Sequence, residues 1–237
     1  MNPRSAGMET AELNRKRFFY DTIADRYDRV MNTYDLRRRV EIVFGSLISP
    51  EELRDKNLLD VGCGTGWFSQ AAAERGAKVV SLDIGLQMLK QVQQKCASTL
   101  VTSDACHLCF QDESFDVVIS SECIEHTPNP IRALQEMCRV LRPNGLLVVT
   151  VPNRIWRFSA TIAAVFKLRP YDGLENWVGW RQIRRELERQ SMRIDTQIGF
   201  HLFPPVLQPT WRFVRFMDRF GGWIGPVMLN IGVRARK

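Results

Sequence analysis

A glycine-rich segment that follows an apolar run constrains the fold of this 237-residue chain more than any other feature. Residues 58–66 have the sequence LLDVGCGTG, and residues 67–75 have the pattern of a helix. This order predicts a buried parallel strand, a turn and a helix. Gly62, Gly64 and Gly66 fall in the turn, where residues without a Cβ adopt positive φ and let a ligand approach the main chain. Because free N–H groups at a helix start attract negative charge, a carboxylate or a phosphate would fit there.

The spacing of these glycines narrows the class of ligand. The dinucleotide fingerprint G-x-G-x-x-G needs its third glycine one position later, where this chain has Trp67. The observed spacing, G-x-G-x-G, therefore argues against NAD or FAD.

An acidic residue follows the second predicted strand, residues 77–82. Asp83 lies 21 residues after Gly62, at the distance where an acid accepts hydrogen bonds from both hydroxyls of a ribose. We therefore predict that Asp83 binds a ribose.

Polar residues also follow two later strands, predicted at residues 99–102 and 115–120. Asp104 comes after the first of these strands, and Ser121 and Glu122 come after the second. In open α/β sheets ligands bind beyond the carboxyl ends of the strands, so these side chains should border the same site.

Four ordered motifs within residues 55–153 resemble those of the class I S-adenosylmethionine-dependent methyltransferases. They are LDVGCGTG, LDIG, SDACHLCFQDESFDVVISSECIEHTPNP and EMCRVLRPNGLLVVTVPN. The resemblance implies an α/β fold with a seven-stranded, mostly parallel, Rossmann-like sheet flanked by helices. The last strand would be antiparallel, a helical lid would precede the sheet, and a helical insertion would follow strand five.

The resemblance also implies where the cofactor S-adenosylmethionine binds. The glycine turn would hold its methionine part, Asp83 its ribose, and Asp104 with Ala105 would border its adenine, although Asp104 also suits a helix cap. Tyr27, in a segment resembling F-x-x-I-A-x-x-Y-D, would contact the cofactor or instead pack in its own helix core. The implied cofactor residues are Tyr27, Asp60, Gly62, Cys63, Gly64, Gly66, Asp83, Ile84, Asp104, Ala105 and Ser121.

The pattern E-x-x-E-H after strand four contains the candidate catalytic residues. If this segment is helical, Glu122, Glu125 and His126 share one face and suit a divalent metal such as Mg²⁺ or Zn²⁺. The pattern resembles that of the ubiquinone-pathway O-methyltransferases and of small-RNA 2′-O-methyltransferases. The likeness to the ubiquinone-pathway enzymes implies that His201 is a fourth ligand of the metal. Two alternatives remain: His126 is a general base without a metal, or Glu125 and His126 only cap a loop.

Composition indicates one globular domain, with a lid at residues 1–50, a cofactor-binding core at 55–153, and substrate-side or membrane-facing segments at 154–237. Six scattered cysteines form no disulfide framework, which favours a reducing compartment. The start has no signal-peptide pattern, and the most apolar stretch, 156–168, is shorter than the about 20 residues that span a bilayer. We expect a cytoplasmic protein that does not span the membrane.

Positive charge is concentrated in the last third of the chain. Residues 151–237 contain 15 of the 33 Lys and Arg residues but only 6 of the 26 acids, together with five of the six tryptophans. Arg212, Arg215 and Arg219 alternate with aromatic residues on one predicted helix, a pattern typical of contact with an anionic membrane. The alternative is a cover helix on the sheet or at a dimer contact.

These observations predict O-methylation of a hydroxyl on a hydrophobic or lipid-linked small molecule. The basic charge leaves an RNA 2′-O-methyltransferase as an alternative, but the chain has no recognition motif or long Lys/Arg run, so a nucleic-acid partner is disfavoured. A cofactor-binding partner protein without activity is the other alternative.

Overall fold

The computed structural model describes residues 15, 17–159, 175–204 and 210–237, and seven strands lie within these ranges. They form one sheet in the order β3-β2-β1-β4-β5-β7-β6, and β7 runs antiparallel to both of its neighbours. The predicted α/β fold is therefore confirmed. The strands are β1 Asn57–Val61, β2 Lys78–Asp83, β3 Thr99–Thr102, β4 Phe115–Ser121, β5 Leu141–Pro152, β6 Arg193–Phe200 and β7 Asn230–Arg236.

Helices cover both faces of this sheet, and shorter helical segments connect them. The described α-helical segments are residues 17–23, Tyr27–Val30, Thr33–Ile42, Trp67–Ala73, Leu86–Lys95, Pro130–Val140, residues 157–159, Trp180–Arg189, Trp211–Met217 and Gly221–Ile224. A π-helical turn, Val43–Leu47, extends the third of these. Within the described ranges, no helix has the length and apolar character needed to cross a membrane.

The central strands are apolar on both faces because helices pack on each side of them. Leu58 and Leu59 are neighbours in β1, yet they belong to different core clusters on opposite faces of the sheet, and both are fully buried. In β4, the neighbours Val117 and Val118 likewise belong to different core clusters. Continuous apolar runs are the expected pattern for parallel strands that are covered on both faces.

The order of the strands places the ligand crevice. β1 pairs with β2 on one side and with β4 on the other, so the direction of the chain connections reverses at β1. A crevice forms at such a switch point, beyond the carboxyl ends of the strands. Gly62, Asp83 and Glu122 immediately follow or end these three strands and therefore meet at one edge.

Several helices and strands begin or end at residues other than those that the sequence predicts. The sequence pattern predicts helices over residues 13–30 and 36–47. In the structure a turn at residues 24–26 interrupts the first, and the second starts at Thr33 because Asn32 accepts hydrogen bonds from two backbone N–H groups. Pro50 begins a 3₁₀ turn. The apolar run predicts strand five over residues 146–151, but β5 starts earlier because Leu141 already pairs with Phe115. The insertion predicted after strand five runs from residue 152 to about residue 179, and its residues 160–174 lie outside the described residues.

Glu52 ties the segment before β1 to the distant last strand. Its carboxylate accepts hydrogen bonds from Arg234 Nη1 and Nη2 at 2.8 and 2.7 Å, and from Arg236. It also accepts the backbone N–H of Ser49 at 3.0 Å. Hydrogen bonding to Arg234 lowers the pKa of Glu52 to about 2 from an ordinary 4.5.

We expect Glu52→Gln to lower the free energy of unfolding by roughly 1–2 kcal/mol at pH 7, because the charge-assisted hydrogen bonds to both arginines are weakened. The folded-state pKa of Glu52 is depressed, so its contribution is complete above pH 4.5 and is lost as the pH falls toward 2. Urea denaturation of the variant and the wild type should therefore give converging stabilities near pH 2. An equal difference at both pH values would contradict this account.

Glu188→Gln is the matched control for this experiment. Glu188 is 54% exposed and lies 3.5 Å from Arg184 in a surface ion pair. Such pairs contribute about 0–1 kcal/mol, so this variant should match the wild type closely at both pH values.

Candidate active site

The predicted glycine turn has the backbone that its sequence indicated. Gly62, Gly64 and Gly66 have φ values of +71°, +53° and +88°. A Cβ on Gly62 would collide with the side chain of Cys123, and a Cβ on Gly66 would lie 3.0 Å from Val92. The turn therefore needs glycine both for its left-handed backbone and for its close packing against neighbouring elements.

Asp83 links the end of β2 to this turn. Its Oδ2 accepts the backbone N–H of Gly64 at 2.9 Å, and its Oδ1 accepts that of Gly85 at 2.8 Å. Burial raises the pKa of the Asp83 carboxyl, and these backbone N–H groups act in the opposite direction. The carboxylate lines a cavity while its orientation is fixed by the main chain.

This first cavity also contains the residues predicted to border adenine. Ile84, Asp104 and Ala105 line it together with Met88. Asp104 Oδ1 additionally accepts the backbone N–H of Cys106 at 2.9 Å. Asp104 thus caps this turn and also lines the cavity.

The N-terminal helical segments cover the cavity, and Tyr20 and Tyr27 line it. Burial raises the pKa of Tyr27 to about 12, so its hydroxyl stays protonated at neutral pH. Asp28 attaches this cover to the core by accepting hydrogen bonds from Thr65 Oγ1 at 2.5 Å and from Lys95 Nζ at 2.6 Å. Tyr27 also packs on the small cluster of Ile23, Ala24 and Met88, so both of its predicted roles are compatible with this position.

A second cavity of about 520 Å³ adjoins the first. Tyr27, Gly62, Gly64, Glu122 and His126 line both cavities and form the junction between them. The second cavity also receives Cys63 and Ser121 from the core, as well as residues from the N-terminal helix, the segment after 174 and the start of β7. Space for a second molecule therefore lies directly beside the glycine turn.

The predicted E-x-x-E-H set lies at this junction, although not on one helix. Glu122 precedes the helical turn and has a left-handed backbone with φ of +52°, and Ile124–His126 forms a single 3₁₀ turn. The shortest charged contact in the set joins His126 Nε2 to Glu125 Oε1 at 3.9 Å. Burial raises the pKa of both carboxyls, and the charge of Glu122 raises that of Glu125 further.

The predicted metal centre does not fit these residues. Across residues 15, 17–159, 175–204 and 210–237, no three His, Cys, Asp or Glu side chains are grouped to hold a metal ion. His201, the implied fourth ligand, is fully buried and lines neither cavity. Its Nδ1 lies 3.2 Å from Asp35 Oδ1 and 3.3 Å from Asn230 Oδ1. His201 is held in this position because its backbone N–H donates to Asp218 at 2.7 Å.

Asp60 and Gly66 were also predicted to bind the cofactor, but neither lines a described cavity. Asp60 is buried within the sheet, where its Oδ2 accepts the hydroxyl of Ser69 at 2.6 Å. Burial raises the pKa of Asp60 to about 7, and the bond from Ser69 offsets part of this effect. Asp60 thus links β1 to the helix Trp67–Ala73, and Gly66 directly precedes that helix.

Several wall residues were missed by the sequence analysis, and Arg39 is the most informative. It is only 5% exposed, its Nη2 contacts Asp35 Oδ2 at 2.6 Å, and it lines the second cavity. A signal was present, because Arg39 lies three residues after Leu36 and four before Val43, on the apolar stripe of its helix. A charged residue on such a stripe indicates a buried polar contact.

Comparison with known proteins agrees with this geometry. A family model described as a methyltransferase domain matches residues 59–149. A demethylmenaquinone methyltransferase of Thermobifida fusca is 29% identical over 167 residues, which cover 68% of this chain and 65% of that protein. A ubiquinone biosynthesis O-methyltransferase of Actinobacillus pleuropneumoniae is 27% identical over 176 residues, covering 66% of this chain and 73% of that protein. The chain thus spans less than two thirds of the first relative's length.

A solved structure extends the fold likeness beyond the matched core. Magnesium protoporphyrin IX methyltransferase from Synechocystis superposes with a TM-score of 0.70 at 18% identity, covering 95% of this chain and 99% of that one. The glycine turn, the position of Asp83 and the family match lead to one conclusion. Residues 59–149 match a methyltransferase domain, and the whole chain has the fold of a methyltransferase.

Proposed function

We propose that this protein transfers the methyl group of S-adenosylmethionine to a hydroxyl on a hydrophobic or lipid-linked small molecule. The observation that carries the proposal is the pair of joined cavities, one beside Asp83 and the glycine turn and the other beside Glu125 and His126. The first is suited to a nucleoside, and the second leaves room for an acceptor. The relatives named for quinone biosynthesis support a hydrophobic acceptor.

The residues of the first cavity fit the cofactor. Asp83 is oriented to accept hydrogen bonds from ribose hydroxyls, Asp104 and Ala105 border the adenine, and Tyr27 covers the junction. When bound, S-adenosylmethionine supplies an electrophilic methyl group on a sulfonium. The acids on these walls favour that positive charge.

We expect Asp83→Ala to weaken binding of S-adenosylhomocysteine by about 10- to 100-fold, the range for losing hydrogen bonds to a charged group. Isothermal titration calorimetry measures this affinity, and thermal unfolding checks that the variant is folded. Asp112→Ala is the control, because Asp112 is 74% exposed and precedes the opposite end of β4. Undiminished affinity in the Asp83 variant would refute the ribose role.

His126 is the residue best placed to remove a proton from the acceptor. It lines both cavities, and imidazole is the side chain that most often serves as a general base. Glu125 lies beside it, and the loop that contains both is anchored by Asn176, whose N–H donates to the Glu125 carbonyl at 2.7 Å. Asn176 Nδ2 also donates to the carbonyl of Thr127 at 2.8 Å. The position of the loop that carries His126 therefore depends on these hydrogen bonds from Asn176.

We expect His126→Gln to reduce turnover by about 10²- to 10⁴-fold, the usual contribution of a general base. Affinity for S-adenosylhomocysteine should change by less than about threefold. Turnover is measured with a labelled methyl donor and a total lipid extract, in the presence of EDTA. Equal loss of turnover and of cofactor affinity would indicate a binding role instead of proton transfer. Transfer to a total RNA extract but not to lipid would favour the RNA alternative.

An exposed apolar surface suggests how such an acceptor is reached. Helix Trp211–Met217 packs one face on the N-terminal helix, where the ring of Trp211 stacks on Tyr34 at 4.4 Å. Its other face and the helical turns from Asp218 to Val227 form an exposed surface rich in aromatic residues, which we call the aromatic surface. Trp223 on this surface is 84% exposed. The exposed members are Arg212, Phe213, Arg215, Phe216, Arg219, Phe220, Trp223 and Val227. We propose that this aromatic surface contacts an anionic membrane, where arginines face lipid phosphates and rings enter the interface.

We expect Trp223→Ala and Phe216→Ala each to weaken binding to liposomes of phosphatidylglycerol and phosphatidylcholine by about tenfold, since each removes a large apolar side chain from the interface. Co-sedimentation measures the binding. Leu86→Ala is the control, because Leu86 is 44% exposed and lies outside the aromatic surface. Wild-type protein that does not bind anionic liposomes but binds RNA at moderate salt would overturn the membrane proposal.

A further inference from the structure

A third pocket, separate from the two cavities of the candidate active site, is lined by arginines. Its volume is about 760 Å³. It shares no wall residue with either cavity, and none of its described wall residues is acidic. We call it the arginine pocket. Its basic and bulky apolar wall residues are Arg154, Ile155, Trp180, Arg181, Arg184 and Pro226.

The positive charge of the arginine pocket is largely uncompensated. Arg154 and Arg181 are exposed, and neither side chain has an ion pair or a hydrogen bond within the described ranges of the chain. Arg184 has one weak acidic contact, since its Nη1 lies 3.5 Å from Glu188 in a surface pair. Like charges on the walls of one pocket repel each other, so an anion that neutralises them would bind favourably.

Hydrogen bonds fix the chain segments that form the pocket. Asn153 is fully buried, and its Nδ2 donates to the carbonyl of Pro226 at 2.9 Å. The backbone N–H of Arg154 donates to the carbonyl of Val178 at 3.1 Å. These bonds join the segment after β5 to the turn that contains Pro226 and to the segment before the helix Trp180–Arg189. The backbone that carries the arginines is therefore positioned before a ligand binds.

Gln197 of β6 fixes the side of the pocket that the helix forms. Its Oε1 accepts a hydrogen bond from Arg184 Nε at 3.1 Å, and its Nε2 donates to the carbonyl of Trp180 at 2.9 Å. The ring of Trp180 packs closely on Gly225, where an added Cβ would lie 2.6 Å from Trp180 Cη2. Because Trp180 and Arg184 are already held in place, they lose less conformational entropy when they contact a ligand.

The walls of the pocket indicate the chemical class of its ligand. A phosphomonoester carries a charge of about −2 near neutral pH and three acceptor oxygens. A carboxylate has a single charge and two oxygens, which one guanidinium fork already satisfies. Guanidinium groups also bind phosphate oxygens in bidentate geometry. Three arginines beside Ile155, Trp180 and Pro226 therefore match a phosphate that is attached to an apolar group.

We propose that the arginine pocket binds an organic phosphomonoester. Arg154, Arg181 and Arg184 contact the phosphate, and Trp180 contacts the apolar part. This site is additional to that of methyl transfer, and it does not depend on which acceptor the protein methylates. A small soluble phosphate ester and a lipid with a phosphomonoester headgroup share the required chemistry. A lipid would reach the pocket because Pro226 on its wall is followed directly by Val227 of the aromatic surface.

Isothermal titration calorimetry with soluble esters tests the site in the full-length protein. We expect phenyl phosphate, a phosphomonoester with an apolar group, to bind about tenfold more tightly than methyl phenyl phosphate, a diester with a single charge. Arg154→Gln and Arg181→Gln should each weaken binding of phenyl phosphate by about tenfold, the lower end of the range for a hydrogen bond to a charged group. Arg181→Lys keeps the charge but not the fork of donors, and should bind with intermediate affinity.

Arg185→Gln is the matched control. Arg185 is exposed on the same helix as Arg181 but lies outside the pocket, so this variant removes the same charge without changing the walls. It should bind phenyl phosphate like the wild type. All variants should keep their affinity for S-adenosylhomocysteine and their thermal stability, because the pocket shares no wall residue with the active-site cavities.

Co-sedimentation with vesicles distinguishes the two sources of the phosphate. The vesicles are phosphatidylcholine with either phosphatidic acid or phosphatidylglycerol, matched in surface charge. Tighter binding to phosphatidic acid that is lost in Arg154→Gln and Arg181→Gln would support the site and identify a lipid ligand. Binding of phenyl phosphate together with equal binding to both kinds of vesicle would support the site and identify a soluble ligand.

Several results would overturn the inference. They are equal affinity for phenyl phosphate and its methyl ester, unchanged affinity in Arg154→Gln and Arg181→Gln, or an equal loss in Arg185→Gln, which would indicate attraction by net charge alone. Wild-type protein that binds neither phenyl phosphate nor phosphatidic acid vesicles would also overturn it. Wild-type protein that binds phenyl phosphate but not S-adenosylhomocysteine would instead overturn the proposed function and support the arginine pocket.

Discussion

Hydrogen bonds from the main chain to the carboxylate of Asp83 organise the crevice at the end of β2. One oxygen accepts from Gly64 in the glycine turn, and the other accepts from Gly85 at the start of the next helix. The turn can approach this carboxylate because Gly62 leaves no side chain between itself and Cys123. Every other feature of the site depends on this junction, since it sets where the walls of both cavities begin.

Around this junction the chain builds its second cavity from parts that are distant in sequence. The helix Thr33–Ile42 supplies Asp35 and Arg39, the residue after β4 is Glu122, and β7 supplies Asn230. The N-terminal helix is in turn tied to the C-terminal region, because Arg38 Nε contacts Asp218 Oδ2 at 2.8 Å. The acceptor side of the site therefore depends on the correct docking of both ends of the chain on the sheet.

The local parts of this structure were largely predictable. Strand β3 occupies the predicted residues, and β1, β2 and β4 differ from prediction by a residue or two, because apolar runs bounded by glycine and acids define buried parallel strands. The positive φ values of Gly62, Gly64 and Gly66 also follow from local sequence. His201 shows the limit of such reasoning. The likeness to the ubiquinone-pathway O-methyltransferases implied that it is a metal ligand, whereas in the folded chain its ring lies beside Asp35 and Asn230.

The sequence by itself determined the sheet, the glycine turn and the placement of Asp83, since each depends on periodicity or on backbone freedom within a few residues. Tertiary structure alone decided that Glu122, Glu125 and His126 do not share a helical face, and that Arg39 lies beside the turn. The physical reason is that the burial and the charged contacts of a side chain depend on residues that are close in space but distant in sequence. Arg39 pairs with Asp35 within its own helix, but it lines one cavity with Glu122 only because two elements more than 80 residues apart pack together.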